Sequence, residues 1–126
     1  MATKFLATVA VVMVAVASLA QDDTELARPR AHVKFLLEHL EMSETIQDTT
    51  LYGPIETADR AIEVVEPSLF EIYGRRSIIG QRPYIVNRVD DHWLISGTLP
   101  GEVVGGTFKA LLRASDGKLI HIMHEE

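Results

Sequence analysis

The sequence predicts an α+β fold, in which helices pack on one face of an antiparallel sheet. Apolar residues recur at intervals of three and four between residues 29 and 73, which is the period of an amphipathic helix. From residue 82 onward the period changes to two, and turn residues separate the apolar runs, as expected for strands. Helices followed by consecutive short strands indicate an antiparallel meander covered by the helices.

The first 20 residues (1–20) have the composition of a cleavable signal peptide. Lys4 provides a short basic region, residues 5–16 are almost entirely apolar, and Ser18-Leu19-Ala20 offers small residues for cleavage. The apolar run is shorter than the ~20 residues that span a bilayer, so we expect cleavage and no stable membrane anchoring. The absence of cysteine excludes a lipoprotein anchor. We therefore expect a mature periplasmic protein that begins near residue 21.

The charge of the expected mature chain argues against some partners. Removing Lys4 leaves 11 basic against 18 acidic residues, a net charge of −7 with neutral histidines. A chain this acidic lacks the excess lysine and arginine that neutralises phosphates, so we expect no nucleic-acid partner. The charge suits a basic protein partner or simple solubility. Because the chain has no cysteine, thiol chemistry and cysteine-ligated metals are ruled out.

Residues 21–54 are predicted to form a leader and one helix. Pro29 suits the first turn of a helix, where its missing N–H is not needed. The helix would extend over residues 29–42, and residues 43–53 read as a connection that ends in a Gly53-Pro54 turn. Four apolar residues give this helix its period: Val33, Leu36, Leu37 and Leu40.

Residues 55–126 are predicted to form the α+β core of a single domain that spans residues 21–126. Thr57 is a plausible N-cap for a second helix, which would run to Tyr73 and end at Gly74. Pro67 lies inside this helix and should kink it or restart it. Residues 74–81 are expected to be a loop between helix and sheet.

Four strands are predicted after this loop, over residues 84–89, 92–99, 107–114 and 119–124. Asp90-Asp91 and residues 115–118 are turns, and a glycine-containing loop occupies residues 100–106. Tyr73 is expected to be a packing residue with a polar tip. We expect a shared helix–sheet core of eight residues: Ile62, Val65, Leu69, Ile72, Trp93, Ile95, Phe108 and Leu111.

Several short segments carry a resemblance to one family: residues 61–66, 72–74, 81–84, 93–100, 105–108 and 116–118. In this order and spacing they resemble the small bacterial NTF2-fold immunity proteins of the YbbC/YhhH type, from about residue 58 to the C-terminus. The resemblance implies an NTF2-like, cystatin-like fold, in which N-terminal helices pack on a curved four-stranded antiparallel sheet. It also implies a protein that neutralises a toxin delivered between competing cells.

Together with the signal peptide, the resemblance implies a non-enzymatic immunity protein of the periplasm. Its partner would be a cognate secreted toxin that acts in that compartment, with a peptidoglycan hydrolase or amidase as the expected class. Toxin-binding residues are expected on the exposed connections: Arg75, Arg76, Gln81, Glu102, Gly105 and Gly106. Arginine makes bidentate contacts to carboxylates and is frequent at binding hot spots. For Arg82, pairing with a helix glutamate inside the protein is the favoured interpretation.

Other functions remain open alternatives. His32 and His39 share a helix face without a third ligand, and His121 and His124 should point to opposite faces of a strand, so no metal site is expected. No acid/base pair is evident, so we expect no catalytic residue and no cofactor. A periplasmic NTF2-like small-molecule-binding protein or enzyme, a structural envelope protein and a homodimer stay open. A roomy interior would favour ligand binding, whereas a filled interior would favour an inhibitor.

Overall fold

The chain folds into helices followed by a four-stranded antiparallel meander, which confirms the α+β fold. The computed structural model describes residues 26–101 and 105–125, so the predicted signal peptide and Glu102 lie outside the described residues. The strand order is β1-β2-β3-β4. The elements are α1 (Ala27–Glu38), a 3-10 helix (Leu40–Met42), α2 (Ala58–Tyr73), α3 (Arg75–Ile79), β1 (Ile85–Val89), β2 (His92–Ser96), β3 (Phe108–Arg113) and β4 (Leu119–His124).

The central helix, α2, begins and ends where local chemistry predicts. The Thr57 hydroxyl accepts a hydrogen bond from the Arg60 N–H at 3.1 Å, which satisfies one of the free donors of the first turn. Gly74 follows the last turn with a φ of 91°, a value that favours glycine. Pro67 does not restart the helix, because the 16 residues of α2 run through it without interruption. None of the helices in the described residues is long and apolar enough to cross a membrane.

The helices lie on both faces of the sheet, which differs from the expected single face. Trp93 and Ile95 of β2 belong to the core beneath α2, while Leu94 between them packs with Val33 and Leu36 of α1. Adjacent strand residues point to opposite faces, so an unbroken apolar run in a strand requires cover on both sides. Residues 93–95 form such a run, and α1 supplies the second cover.

The core beneath α2 contains most of the predicted residues. Val65, Leu69, Trp93, Ile95 and Phe108 are buried there, and Ile72 and Tyr73 are partly buried at its border. Two expectations were wrong. The helix turns Val64 rather than Ile62 into this core, and the alternation of β3 places Leu111 on the opposite face, against α1.

The connection between α1 and α2 runs along the β4 side of the sheet. The Glu44 N–H donates to the Ile122 carbonyl at 2.6 Å, and the Ser43 hydroxyl accepts from the Ile122 N–H at 3.0 Å. Further along, the Ile55 carbonyl accepts a hydrogen bond from the Trp93 indole at 2.9 Å. This connection carries the chain from one face of the sheet to the other and covers its β4 edge.

Candidate functional site

One end of the sheet gathers most of the residues that the sequence suggests for binding. At this end β2 and β4 finish and β1 and β3 begin, and α3 lies beside them. The expected loop over residues 74–81 is in fact mostly α3, whose Ile78 is completely buried in the core. A short helix forms here because that apolar anchor holds it against the sheet.

Gln81 ties this end of the molecule together. Its side-chain carbonyl accepts a hydrogen bond from the Phe108 N–H at 2.9 Å, and its amide lies 3.1 Å from His124 Nε2. Its main-chain carbonyl accepts from the Thr98 N–H at 2.8 Å. Gln81 therefore links α3 to the ends of β2, β3 and β4. Because it is only 4% exposed, this position argues against the predicted surface contact and gives Gln81 a structural role.

Hydrogen bonds fix the orientation and tautomer of His124. Since the amide of Gln81 can only donate, Nε2 of His124 accepts and Nδ1 carries the proton, which it donates to the Glu125 carbonyl at 2.7 Å. The ring lies 5.2 Å from the ring of Tyr73. Both ring nitrogens of His124 are therefore engaged in hydrogen bonds within the chain.

A shallow depression of about 340 Å³ lies beside His124 and is also lined by Glu44, Tyr73 and Ser77. The Tyr73 hydroxyl is buried and has no hydrogen-bond partner among the described residues. Burial, and secondly the nearby Glu44 carboxylate, raise the pKa of Tyr73 to about 12. Tyr73 therefore stays neutral at physiological pH and packs at the border of the core, as the sequence predicts.

Two glycines at this end are explained by close packing within the chain. A Cβ on Gly97 would overlap the side chain of Gln81, and a Cβ on Gly106 would overlap the Glu125 carbonyl. Gly105 is different, because it is exposed, has a φ of 140°, and has open space where a side chain would be. Of the two glycines predicted to contact a partner, Gly105 is the more exposed, and Gly106 is half-buried against Glu125.

Arg75 and Arg76 are exposed at the start of α3. The Arg75 guanidinium lies 5.1 Å above the ring of Phe70, a cation–π contact that orients it without neutralising it. Neither arginine forms an ion pair within residues 26–101 and 105–125. Both charges are therefore accessible to an acidic partner.

Arg82 makes the internal pair that the sequence favours. Its guanidinium lies 2.7 Å from the carboxylate of Glu66 on α2, and the Tyr84 hydroxyl donates to the same carboxylate oxygen at 2.5 Å. Burial alone raises the pKa of the Glu66 carboxyl, but the hydrogen bonds from Tyr84 and Arg82 outweigh it, and the pKa lies below its usual value. This network attaches the entry of β1 to α2.

The histidines are dispersed. His121 and His124 point to opposite faces of β4, as predicted, and His121 lies completely buried on the α1 side. Neither ring nitrogen of His121 has a hydrogen-bond partner among the described residues, and burial followed by the nearby His32 lowers its pKa. Within those residues no three His, Cys, Asp or Glu side chains are grouped to hold a metal ion.

Comparison with known proteins gives the family of this chain. A family model for NTF2 fold immunity proteins matches residues 60–126. The chain belongs to this family. This immunity protein is also similar to an uncharacterised protein, YbbC, of Escherichia coli strain K12, with 29% identity over 73 residues, 57% of this chain and 60% of YbbC. It therefore spans less than two thirds of that relative's length. No solved structure matches it.

The matched region of this immunity protein contains nearly all of α2, all of α3 and the whole sheet. It therefore includes the Gln81-centred end of the sheet and the exposed Arg75 and Arg76. Helix α1, which covers the second face of the sheet, lies outside it.

Proposed function

We propose that this protein resides in the periplasm, where it binds a cognate secreted toxin and blocks it without catalysing a reaction. The observation that carries the proposal is the match to the immunity-protein family over residues 60–126. In this proposal the protein acts by occupying a surface of the toxin, so its function depends on exposed groups held in fixed positions.

The packing of the interior supports a binding role. The space between α2 and the sheet is filled by side chains at most 1% exposed, among them Leu69, Ile95, Phe108 and Ile122. A small-molecule site needs an apolar cavity with a few converging polar groups, and an enzyme of this shape needs an acid or base facing such a cavity. The filled interior favours an inhibitor that works through its outer surface.

The expected compartment suggests the class of toxin. A signal peptide over residues 1–20 would place the protein outside the cytoplasm, so it can protect only against a toxin that acts there. Peptidoglycan, the covalent polymer of the cell wall, lies in that compartment and is accessible to such a toxin. The proposed partner is therefore a cell-wall-degrading enzyme, a peptidoglycan hydrolase or amidase, whereas a nuclease would require a cytoplasmic protector.

The proposed contact surface lies on α3 and the neighbouring glycine loop. Arg75 and Arg76 are exposed and unpaired within the described residues, while the buried Ile78 and Gln81 fix the helix that carries them. Such preorganisation lowers the entropic cost of binding. Glu102 belongs to the same proposed surface, although it lies outside the described residues.

Protection of cells tests the proposal. A candidate secreted toxin, taken from the reading frames that adjoin the gene of this protein, would be directed to the periplasm of a host strain, with and without the full-length protein. We expect growth to be restored by the full chain and not by a chain lacking residues 1–20. N-terminal sequencing of the exported protein should begin near residue 18 or 21. Protection by the truncated chain, or recovery of the intact N-terminus from membranes, contradicts the proposed location.

Variants test the proposed surface. Replacing Arg75 and Arg76 together with alanine, or Glu102 with alanine, should weaken toxin binding by ≥ ~2 kcal/mol, roughly thirtyfold, if these are hot-spot residues. Lys118→Ala is the matched control, because Lys118 lies in the hairpin at the opposite end of the sheet. If both test variants bind as tightly as the control, the contact lies on another surface.

A further inference from the structure

The two edges of the sheet differ in how they are covered. At the β4 edge, both main-chain groups of Ile122 bond to Ser43 or Glu44 of the preceding connection. At the β1 edge, no other main-chain segment of the described residues forms a hydrogen bond with β1 beyond its pairing with β2. An uncovered edge strand offers a row of free donors and acceptors to another chain.

The register identifies which groups are free. Val89 and His92 close a two-residue turn, so this pair exchanges both main-chain hydrogen bonds. Antiparallel pairs alternate, so Asn87 and Ile85 also bond to β2, while Val86 and Arg88 direct their N–H and C=O groups away from the sheet. Two residues of β1 thus present four unpaired main-chain groups along one line.

A basic pocket adjoins this edge on the α1 face. It has a volume of about 210 Å³, and its lining includes Arg28, His32 and Lys109 beside the strand residue Ile85. Lys109 is partly balanced by Glu125 at 3.5 Å, but Arg28 has no ion pair in the described part of the chain. Burial, and then the nearby Lys109, lower the pKa of His32, so its ring is neutral at pH 7. The pocket therefore has an excess of positive charge.

We propose that the β1 edge binds an extended, acidic segment of the toxin as a fifth strand of the sheet. The main chain of that segment pairs with Val86 and Arg88, and a carboxylate side chain enters the pocket next to Arg28. Added strands gain affinity from main-chain bonds and specificity from pockets that take alternate side chains. Ile85, which is 53% exposed, provides an apolar contact at the start of the strand.

This inference rests on the proposed function and extends it, since it names the segment of the toxin that is recognised. β1 begins at the same end of the sheet as Gln81, the organiser of the proposed contact surface. An acidic segment complements Arg28, which lines the pocket beside the edge. The local charge thus selects an acidic partner even though the whole chain is acidic.

Synthetic strands test the edge without the toxin. The isotope-labelled protein would be titrated by NMR with a capped peptide of about eight residues that alternates Glu and Val. We expect the Val86 and Arg88 amide signals to shift and their hydrogen exchange to slow at least tenfold at saturation. A peptide with Lys in place of Glu should bind about tenfold more weakly. N-methylation of the Glu–Val peptide on its pairing edge should abolish the protection.

A charge reversal supplies the matched comparison. Arg28→Glu should weaken binding of the Glu–Val peptide about tenfold. Lys34→Glu, which reverses a charge on another side of α1, should not weaken it. The proposal is overturned if the Glu–Val peptide causes no shift, or if all peptides bind alike. It is equally overturned if Val86 and Arg88 are already protected in a dimer of the free protein, because a second copy then occupies the edge. None of these outcomes depends on the protection assay, which tests toxin neutralisation separately.

Discussion

Gln81 should be among the most sensitive polar residues of this protein. Gln81→Met keeps the approximate volume of the side chain but removes its hydrogen bonds to the Phe108 N–H and to His124. Phe108 is completely buried, so its N–H would have no other partner. A buried polar group left unpaired costs about 1–3 kcal/mol, and losing the His124 contact adds about 1 kcal/mol. We expect a loss of about 3 kcal/mol in the free energy of unfolding.

Urea unfolding monitored by tryptophan fluorescence would measure this loss, because Trp93 lies in the same core. Gln81→Ala should lose a further 1 kcal/mol or more for the cavity it creates, roughly one kcal/mol per deleted methylene. Gln47→Met, at an exposed position, serves as the control for the chemical change. If Gln81→Met unfolds within about 0.5 kcal/mol of the parent protein, the hydrogen bonds of Gln81 do not hold this end of the sheet together.

Three further outcomes are expected. Phe108→Ala should lower the free energy of unfolding by about 3–5 kcal/mol, whereas Phe35→Ala, on the exposed side of α1, should change it by less than about 1 kcal/mol in thermal melts. His121→Leu should stabilise the protein by about 1 kcal/mol, because it removes two unpaired buried nitrogens. The difference in free energy of unfolding between this variant and the parent should grow as the pH falls below about 6.5. Burial lowers the pKa of His121 in the folded parent, so its unfolded chain binds more protons there. Glu66→Gln should lower the free energy of unfolding at pH values above the usual carboxyl pKa of 4.5. In urea titrations this loss should shrink as the pH falls, because acid protonates Glu66 in the folded parent protein. A constant difference across that range would contradict the lowered pKa of Glu66.

Elements set by local chemistry could be predicted from the sequence. The cap at Thr57, the positive φ at Gly74 and the turn at Asp90-Asp91 all follow from residues within four positions of each other. The bounds of β4 were predicted as they stand, because the turn at residues 115–118 sets where the strand begins. Such features need no knowledge of the tertiary structure.

Features that depend on distant contacts could not be predicted in this way. The apolar run at residues 93–95 shows that both sides of β2 are buried, but it does not show which helix covers which side. Helix α3 has five residues and no side-chain hydrogen bond at its N-terminus, so it depends on Ile78, which enters the core. Gln81 carries no local signal of burial. Its place in the Gln-Arg-Pro-Tyr segment of the family resemblance was the available indication.

The position of α1 has a consequence for how the chain is made. Its ion pair, Arg30 with Asp90, joins residues 60 positions apart, and its apolar partners Leu94 and Leu111 come later still. A ribosome adds about 5–20 residues per second, so α1 emerges several seconds before the strands that cover it. Over that interval Val33 and Leu36 have no native partner and are open to chaperones. The first helix of residues 26–101 is therefore among the last elements to reach its place.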